Sequence, residues 1–163
     1  RVLGLPYPGG PTLDKLAEEG NPHAMTLPTP HPEGRYDYSF SGLKTAFLNA
    51  AHKMTQRREE LPRADMAASF RWAVVSSLTE KAVLAAKETH AKALPMAGGV
   101  SANRLLRRMM QEKCDAAGIP LYMPRLDLCT DNAAMIGSAA YYRLRKGELA
   151  ELTLNAVPGL RLL

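Results

Sequence analysis

The chain has 163 residues, the size of one ordinary domain, and its 46% hydrophobic and 23% charged content excludes a disordered or low-complexity polymer and predicts a single packed core. It contains no run of about 18 apolar residues and no signal-peptide pattern, so a soluble cytoplasmic protein without membrane contact is expected. The net charge of +5 and pI near 9.4 favour polyanionic partners by long-range attraction. Arg57-Arg58, Arg104 with Arg107-Arg108, and Arg143 with Arg145-Lys146 supply most of the basic clustering. Each cluster alone reads as a solvated helix face, and together they permit nucleic-acid contact, but few aromatics accompany them to stack on bases.

Two cysteines, Cys114 and Cys129, form no C-x-x-C or metal-finger spacing and read as free thiols of a reducing compartment. The histidines His23, His31, His52 and His90 include no pair at the i, i+4 spacing of a helical zinc site, which argues against a self-contained zinc protease. The chain opens at Arg1 without an initiating Met and is expected to be a fragment of a longer product.

In chain order, Tyr7-Pro8-Gly9-Gly10-Pro11 predicts a glycine turn with Pro11 in the first turn of a helix over 13–19, stopped by Gly20. Residues 21–34, rich in Pro and His, have no period and predict a loop. Residues 36–40 alternate aromatic with polar side chains and predict a short half-buried strand. Ser41 is expected to cap a helix with the apolar stripe Leu43, Phe47, Ala50 and Met54. From Pro62 the longest helical pattern runs to about His90 on Met66, Phe70, Val74, Leu78, Ala82 and Ala85.

Apolar runs over 93–97 and 119–123 flank Gly98-Gly99 and a helix bearing Leu105, Leu106, Met109 and Met110 that ends at Gly118. Strand, glycine turn, helix and strand form a βαβ pattern, which implies an α/β fold with a parallel-containing sheet and packed helices. Pro95 removes a backbone donor and belongs at a strand end or a bulge. A last helix from about Asp131, carrying Ala134, Ile136, Ala140, Tyr141 and Leu144, ends at Gly147. Three regions are expected: a loop-rich entry with helices over 1–61, a βαβ binding core over 62–147, and a tail over 148–163.

The chemistry is expected at the glycine turn. Gly98 and Gly99 end an apolar strand and let a ligand approach the backbone, while the following helix, capped by Ser101, presents unpaired N–H groups. Asn103, placed in the first helical turn, has an acceptor and two donors for a ribose hydroxyl or another polar group. A tight turn with an N-cap and no ligand explains the same pattern equally well. Asp131, beyond the second strand, is either a helix cap or a hard oxygen ligand for a metal, and its spacing alone favours the cap.

Four segments in order, Tyr7-Pro8-Gly9-Gly10-Pro11, Ser39-Phe40-Ser41-Gly42-Leu43-Lys44-Thr45, Gly98-Gly99-Val100-Ser101-Ala102-Asn103, and Cys129-Thr130-Asp131-Asn132-Ala133-Ala134-Met135-Ile136, resemble signature segments of the TsaD family. Asn155-Ala156-Val157-Pro158 also resembles the family's C-terminus. The resemblance implies an actin-like, sugar-kinase-like (ASKHA) fold, of which this chain supplies mainly the second lobe. It implies a transferase that moves the threonylcarbamoyl group from threonylcarbamoyl-AMP to N6 of the adenosine beside the tRNA anticodon, releasing AMP.

By the same resemblance, Gly10, Asp14 and Asn103, beside Gly98 and Gly99, are substrate-binding positions, and Asp131 is a ligand of one divalent metal, iron or zinc. No residue is assigned a covalent catalytic role. The family's histidine pair and phosphate-binding glycine segment belong to an N-terminal half, so this chain alone is expected to be inactive and to hold metal weakly. The implied partners are tRNA, TsaB-like and TsaE-like proteins, and a TsaC-like enzyme that makes the adenylate. Two readings stay open beside it: an actin-like or sugar-kinase-like ATPase lobe, which Cys129-Thr130-Asp131-Asn132 disfavours, and a non-catalytic interaction module. The family's older label of glycoprotein endopeptidase finds neither a metalloprotease helix nor a nucleophile triad.

Overall fold

The computed structural model describes residues 2–29 and 32–159, so His31 and the last residues of the expected tail lie outside the described residues. The chain divides into two compact units, residues 1–129 and 130–163. The division falls inside the 62–147 stretch expected to form one core.

The first unit is organised by the long helix α3, Arg63–Glu88, which begins directly after Pro62 at its N-cap position and contains no Gly or Pro. Asp65 in its first turn and Lys87 in its last complement the helix dipole. Of the expected stripe only Met66 is fully buried, while Phe70, Val74, Leu78, Ala82 and Ala85 are half-buried. The helix is covered on more than one side: Ala67, Ala68, Ser69, Val75, Thr79, Val83 and Ala86 are buried as well. A single 3.6-residue stripe describes a helix with one neighbour, and α3 has several.

The N-terminal half of α3 packs with α1, Gly9–Leu16, and α2, Ser41–Gln56, around Leu3, Ala17, Phe47, Ala51, Met66, Ala67 and Ala68. Helix α1 starts earlier than expected, so Gly9 and Gly10 lie in its first turn rather than in a preceding loop, with Pro11 still in that turn. Gly20 has a tertiary reason to be glycine: a Cβ there would sit 2.1 Å from the Ala64 carbonyl oxygen. The chain that follows is fixed to α3, as Asn21 N donates to Asp65 Oδ1 at 2.8 Å and Met25 N to Ser69 Oγ at 3.1 Å.

Ser41 is the first residue of α2 and makes no capping hydrogen bond; Phe40 occupies the cap position. The buried face is Leu43, Phe47 and Ala51, a strict i, i+4, i+8 row that passes beside Ala50. Residues 36–40 do not form the expected strand. A turn places Asp37 N 3.1 Å from Gly34 O, and an extended segment then lies along α3. Tyr38 Oη donates to Leu78 O at 3.2 Å, Lys81 Nζ donates to Asp37 O, and Arg35 and Tyr36 both donate to Glu88. The alternating aromatics meet a helix, so no ladder forms.

The C-terminal half of α3 packs on α4, Arg104–Ala117, around Val75, Val83, Leu105, Leu106, Met109, Met110 and Cys114. Strands β1, Leu94–Pro95, and β2, Leu121–Tyr122, pair in parallel with Leu94 opposite Leu121 and Pro95 opposite Tyr122. This is the expected βαβ unit in its smallest form, an α/β arrangement with a short parallel sheet. Pro95 costs that pairing nothing, because the donors to β2 are its neighbours: Leu94 N reaches Pro120 O and Met96 N reaches Tyr122 O, both at 2.9 Å. Gly118, at φ +66°, closes α4 in the left-handed conformation that glycine adopts freely.

The second unit contains α5, Ala133–Arg145, closed at Gly147 with φ +75°. No residue of α5 is buried, so its expected apolar positions, Ile136, Tyr141 and Leu144 among them, stand exposed. Among the described residues no helix is long and apolar enough to cross a membrane.

Candidate functional site

Where β1 ends, Gly98 takes φ +84° and ψ 169°, a backbone region essentially reserved for glycine. A Cβ there would meet nothing within 4 Å, so conformation rather than crowding demands glycine. A 3-10 turn, Gly99–Ala102, follows, and it shifts the start of the α-helix to Arg104. The shift moves the cap. Ser101 is buried and its Oγ has no partner among the described residues, so it does not cap α4 as expected. Asn103 is the N-cap instead of a first-turn residue, its Oδ1 accepting from Leu106 N at 2.8 Å.

With its oxygen committed to the helix, the Asn103 amide nitrogen donates to Asp14 Oδ1 at 2.7 Å. That same carboxylate oxygen accepts from Arg71 Nη1 at 3.0 Å. Arg71, 91% buried on α3, also donates to the Asp14 and Ala17 carbonyls of the α1 segment at 2.9 and 3.1 Å, and pairs with the Glu18 carboxylate. Elements from three parts of the sequence thus meet in one polar chain. Arg71 was not anticipated from sequence, although it is the lone charge between Asp65 and Glu80 on an otherwise apolar stretch, where a buried cation requires acceptors.

Beside this chain lies a cavity of about 520 Å³ with Gly10, Lys44, Arg71 and Asn103 among its lining, set on apolar walls such as Phe70 and Val74. Apolar walls with a few convergent polar groups, at this size, fit a small organic ligand. The structure therefore brings Gly10 and Asn103 to one cavity and joins Asp14 to it through Asn103. Gly98 and Gly99 do not line it; they shape the turn that delivers Val100 and Asn103, which do. Lys44, unassigned from sequence, reaches the cavity from the first turns of α2, inside a segment already noted for its family resemblance.

Arg107 ties the turns after β1 and β2 together, donating to Ser101 O at 3.0 Å and Pro124 O at 2.8 Å. Cys129 is buried and donates to Arg125 O at 3.3 Å. Burial pushes the Cys114 thiol above its ordinary range, and neighbouring Asp115 adds to the effect.

Asp131 belongs to the second unit and is exposed. Asn132 takes the cap of α5, accepting from Met135 N at 3.2 Å, which leaves the Asp131 carboxylate outside the capping role. Among the described residues no three His, Cys, Asp or Glu side chains gather as a metal site, and one carboxylate does not define a coordination sphere.

The family model for tRNA N6-adenosine threonylcarbamoyltransferase (TsaD) matches residues 1–138. The chain belongs to the TsaD family. Relatives named tRNA N6-adenosine threonylcarbamoyltransferase include those of Moorella thermoacetica, 52% identical over 99% of this chain, Geobacillus thermodenitrificans, 51% identical over 99%, and Clostridium perfringens, 48% identical over 99%. The chain spans about half the length of these TsaD relatives, 48% in each case. All four signature segments of the first 138 residues find a structural place: the start of α1, the start of α2, the turn into α4 and the start of α5.

Proposed function

We propose that this chain is the C-terminal portion of a TsaD-type transferase, mainly the second lobe of an actin-like, sugar-kinase-like fold, and that its cavity holds part of threonylcarbamoyl-AMP. The carrying observation is that Gly10 and Asn103, far apart in sequence, line one cavity whose Asn103 is hydrogen-bonded to Asp14.

In the reaction, N6 of a tRNA adenosine adjacent to the anticodon forms a bond to the carbamoyl carbon. The bond from that carbon to the phosphate oxygen breaks, AMP leaves, and the amine gives up a proton. The nucleophile is weak, so alignment supplies much of what a protein can offer. Here Gly10 leaves the start of α1 open to a ligand, and the second N–H of Asn103 is available to a hydroxyl or carbonyl oxygen. Asp131 would supply one oxygen ligand to a divalent metal, iron or zinc, whose remaining ligands would come from outside this chain. The chemistry that such a metal would supply is polarisation of a carbonyl.

The partners are tRNA, drawn by the basic surface, and TsaB-like and TsaE-like proteins, with a TsaC-like enzyme supplying the adenylate in the cytoplasm. On its own the segment is expected to bind nucleotide weakly and not to turn over. In a full-length protein carrying this segment, Asn103→Ala and Asp131→Ala should each depress tRNA modification severely. Undiminished modification by both variants would refute the assignment.

A further inference from the structure

We propose that Arg71 is a positioning residue of the substrate site: its guanidinium fixes the Asp14 carboxylate, and Asp14 fixes the orientation of the Asn103 carboxamide at the cavity. The inference rests on Asn103 being a substrate contact, as put forward above.

The bonding of Asn103 leaves one orientation open to it. Its oxygen caps α4 and one N–H is given to Asp14 Oδ1, so the remaining N–H is the donor left for a ligand. A flipped carboxamide would set oxygen against the Asp14 carboxylate and lose the cap. The cap sets which way the carboxamide faces, and the bond to Asp14 is a second hold, on the donor end, that is as firm as Asp14 is. Asp14 sits on an eight-residue helix with its side chain 19% exposed, and a carboxylate in that position can turn toward water unless something holds it.

Arg71 supplies the hold. It donates to the very oxygen that accepts from Asn103, and it is anchored to the backbone around that helix by the carbonyls of Asp14 and Ala17. Nη1 and Nη2 belong to one planar group, with the two hydrogens of Nη1 shared among the Asp14 carbonyl, the Asp14 carboxylate and Glu18, and burial of the guanidinium keeps water from competing. Its Nε is sealed from solvent without a partner among the described residues. The guanidinium is thus oriented by its Nη bonds at the expense of Nε. A plain clamp between α1 and α3 would need only the Ala17 and Glu18 contacts. The link through Asp14 to Asn103, 89 residues away, is additional to it.

The test uses a full-length protein carrying this segment, the Asn103 side-chain amide resonances in a nitrogen–proton correlation spectrum, and AMP as the probe ligand. Arg71→Met should displace and broaden the Asn103 amide pair and weaken AMP binding about tenfold, the worth of one misdirected hydrogen bond. Arg71→Lys, which keeps the charge and loses the fork, should recover part of both effects and serves as the comparison if the Met variant does not fold. In an Asp14→Ala background the same Arg71 substitution should change AMP affinity less than about twofold, because the route is already cut. Unmoved Asn103 resonances, or an Arg71 penalty on AMP that is undiminished by Asp14→Ala, would overturn the proposal. If the unsubstituted full-length protein binds no AMP, the nucleotide reading of the cavity fails, and the Asn103 resonances still decide the role of Arg71.

Discussion

Asn103 carries two burdens, capping α4 and presenting a donor, and a pair of substitutions separates them. Asn103→Ala removes the cap, worth about 1 kcal/mol, and the donor to the Asp14 carboxylate, worth about 1 kcal/mol more since Arg71 continues to hold that oxygen. The sum of about 2 kcal/mol should lower the midpoint of thermal unfolding by roughly 4–8 °C for a chain of this size. Asn103→Ser keeps a side-chain oxygen at the cap and loses the amide donors, so its fall should be roughly half as large. The single Trp, Trp72 on α3, reports unfolding of the first unit by fluorescence without contribution from the second. AMP affinity should behave differently. Both variants lack the amide N–H, and both should bind AMP about tenfold more weakly. An affinity that recovers with stability in the Ser variant, or that is unchanged in both, would show that Asn103 is a helix cap and nothing more.

Gly20→Ala should destabilise the first unit by about 1–3 kcal/mol in urea unfolding, because the new methyl would press on the Ala64 backbone, and an unchanged midpoint would mean that the segment shifts freely. Cys114 and Cys129, 0% and 1% exposed, should resist a thiol reagent in the folded chain and both react in denaturant; rapid labelling of either without denaturant would contradict their burial. The Tyr36 hydroxyl, and with it Arg35, holds the Glu88 carboxyl below the ordinary glutamate range, so the stability contributed by the Arg35 and Tyr36 bonds to Glu88 is complete above that range and is lost as pH falls through the lowered value, while the Tyr38 and Lys81 bonds to this segment stay. The Tyr36 ring resonances should therefore shift in acid, below the ordinary glutamate range, and Glu88→Gln should abolish that transition; a transition surviving in Glu88→Gln would assign it to another group.

What was legible in the sequence was local. Pro62, the apolar run from Met66, Gly118 and Gly147 mark helix ends by mechanisms that act within a few residues, and the βαβ order survives even though each strand keeps only two residues. The failures share one cause. Residues 36–40 carry a strand's alternation and lie instead on a helix, Ser101 has a cap's chemistry and lies one 3-10 turn too early, and α3 is buried on sides that its main stripe does not predict. In each case the deciding partner is distant along the chain, and neither period nor propensity encodes it.

The same reasoning explains why the site was half visible. Gly10, Asp14 and Asn103 could be named from motif resemblance one at a time, but their relation could not, because the bond that joins Asp14 to Asn103 spans 89 residues and the ion pair that holds Asp14 spans 57. Arg71 belongs to no motif, only to the rule that a buried cation must find acceptors. That rule turns a description of the helix into a statement about the site. The acceptors Arg71 finds are the carbonyls and carboxylates of α1 and its C-terminal end, and one of those carboxylates already holds the cap of α4. A charge buried on α3 therefore bears on the geometry of a donor that lines the cavity, through the carboxylate oxygen that Arg71 and Asn103 share.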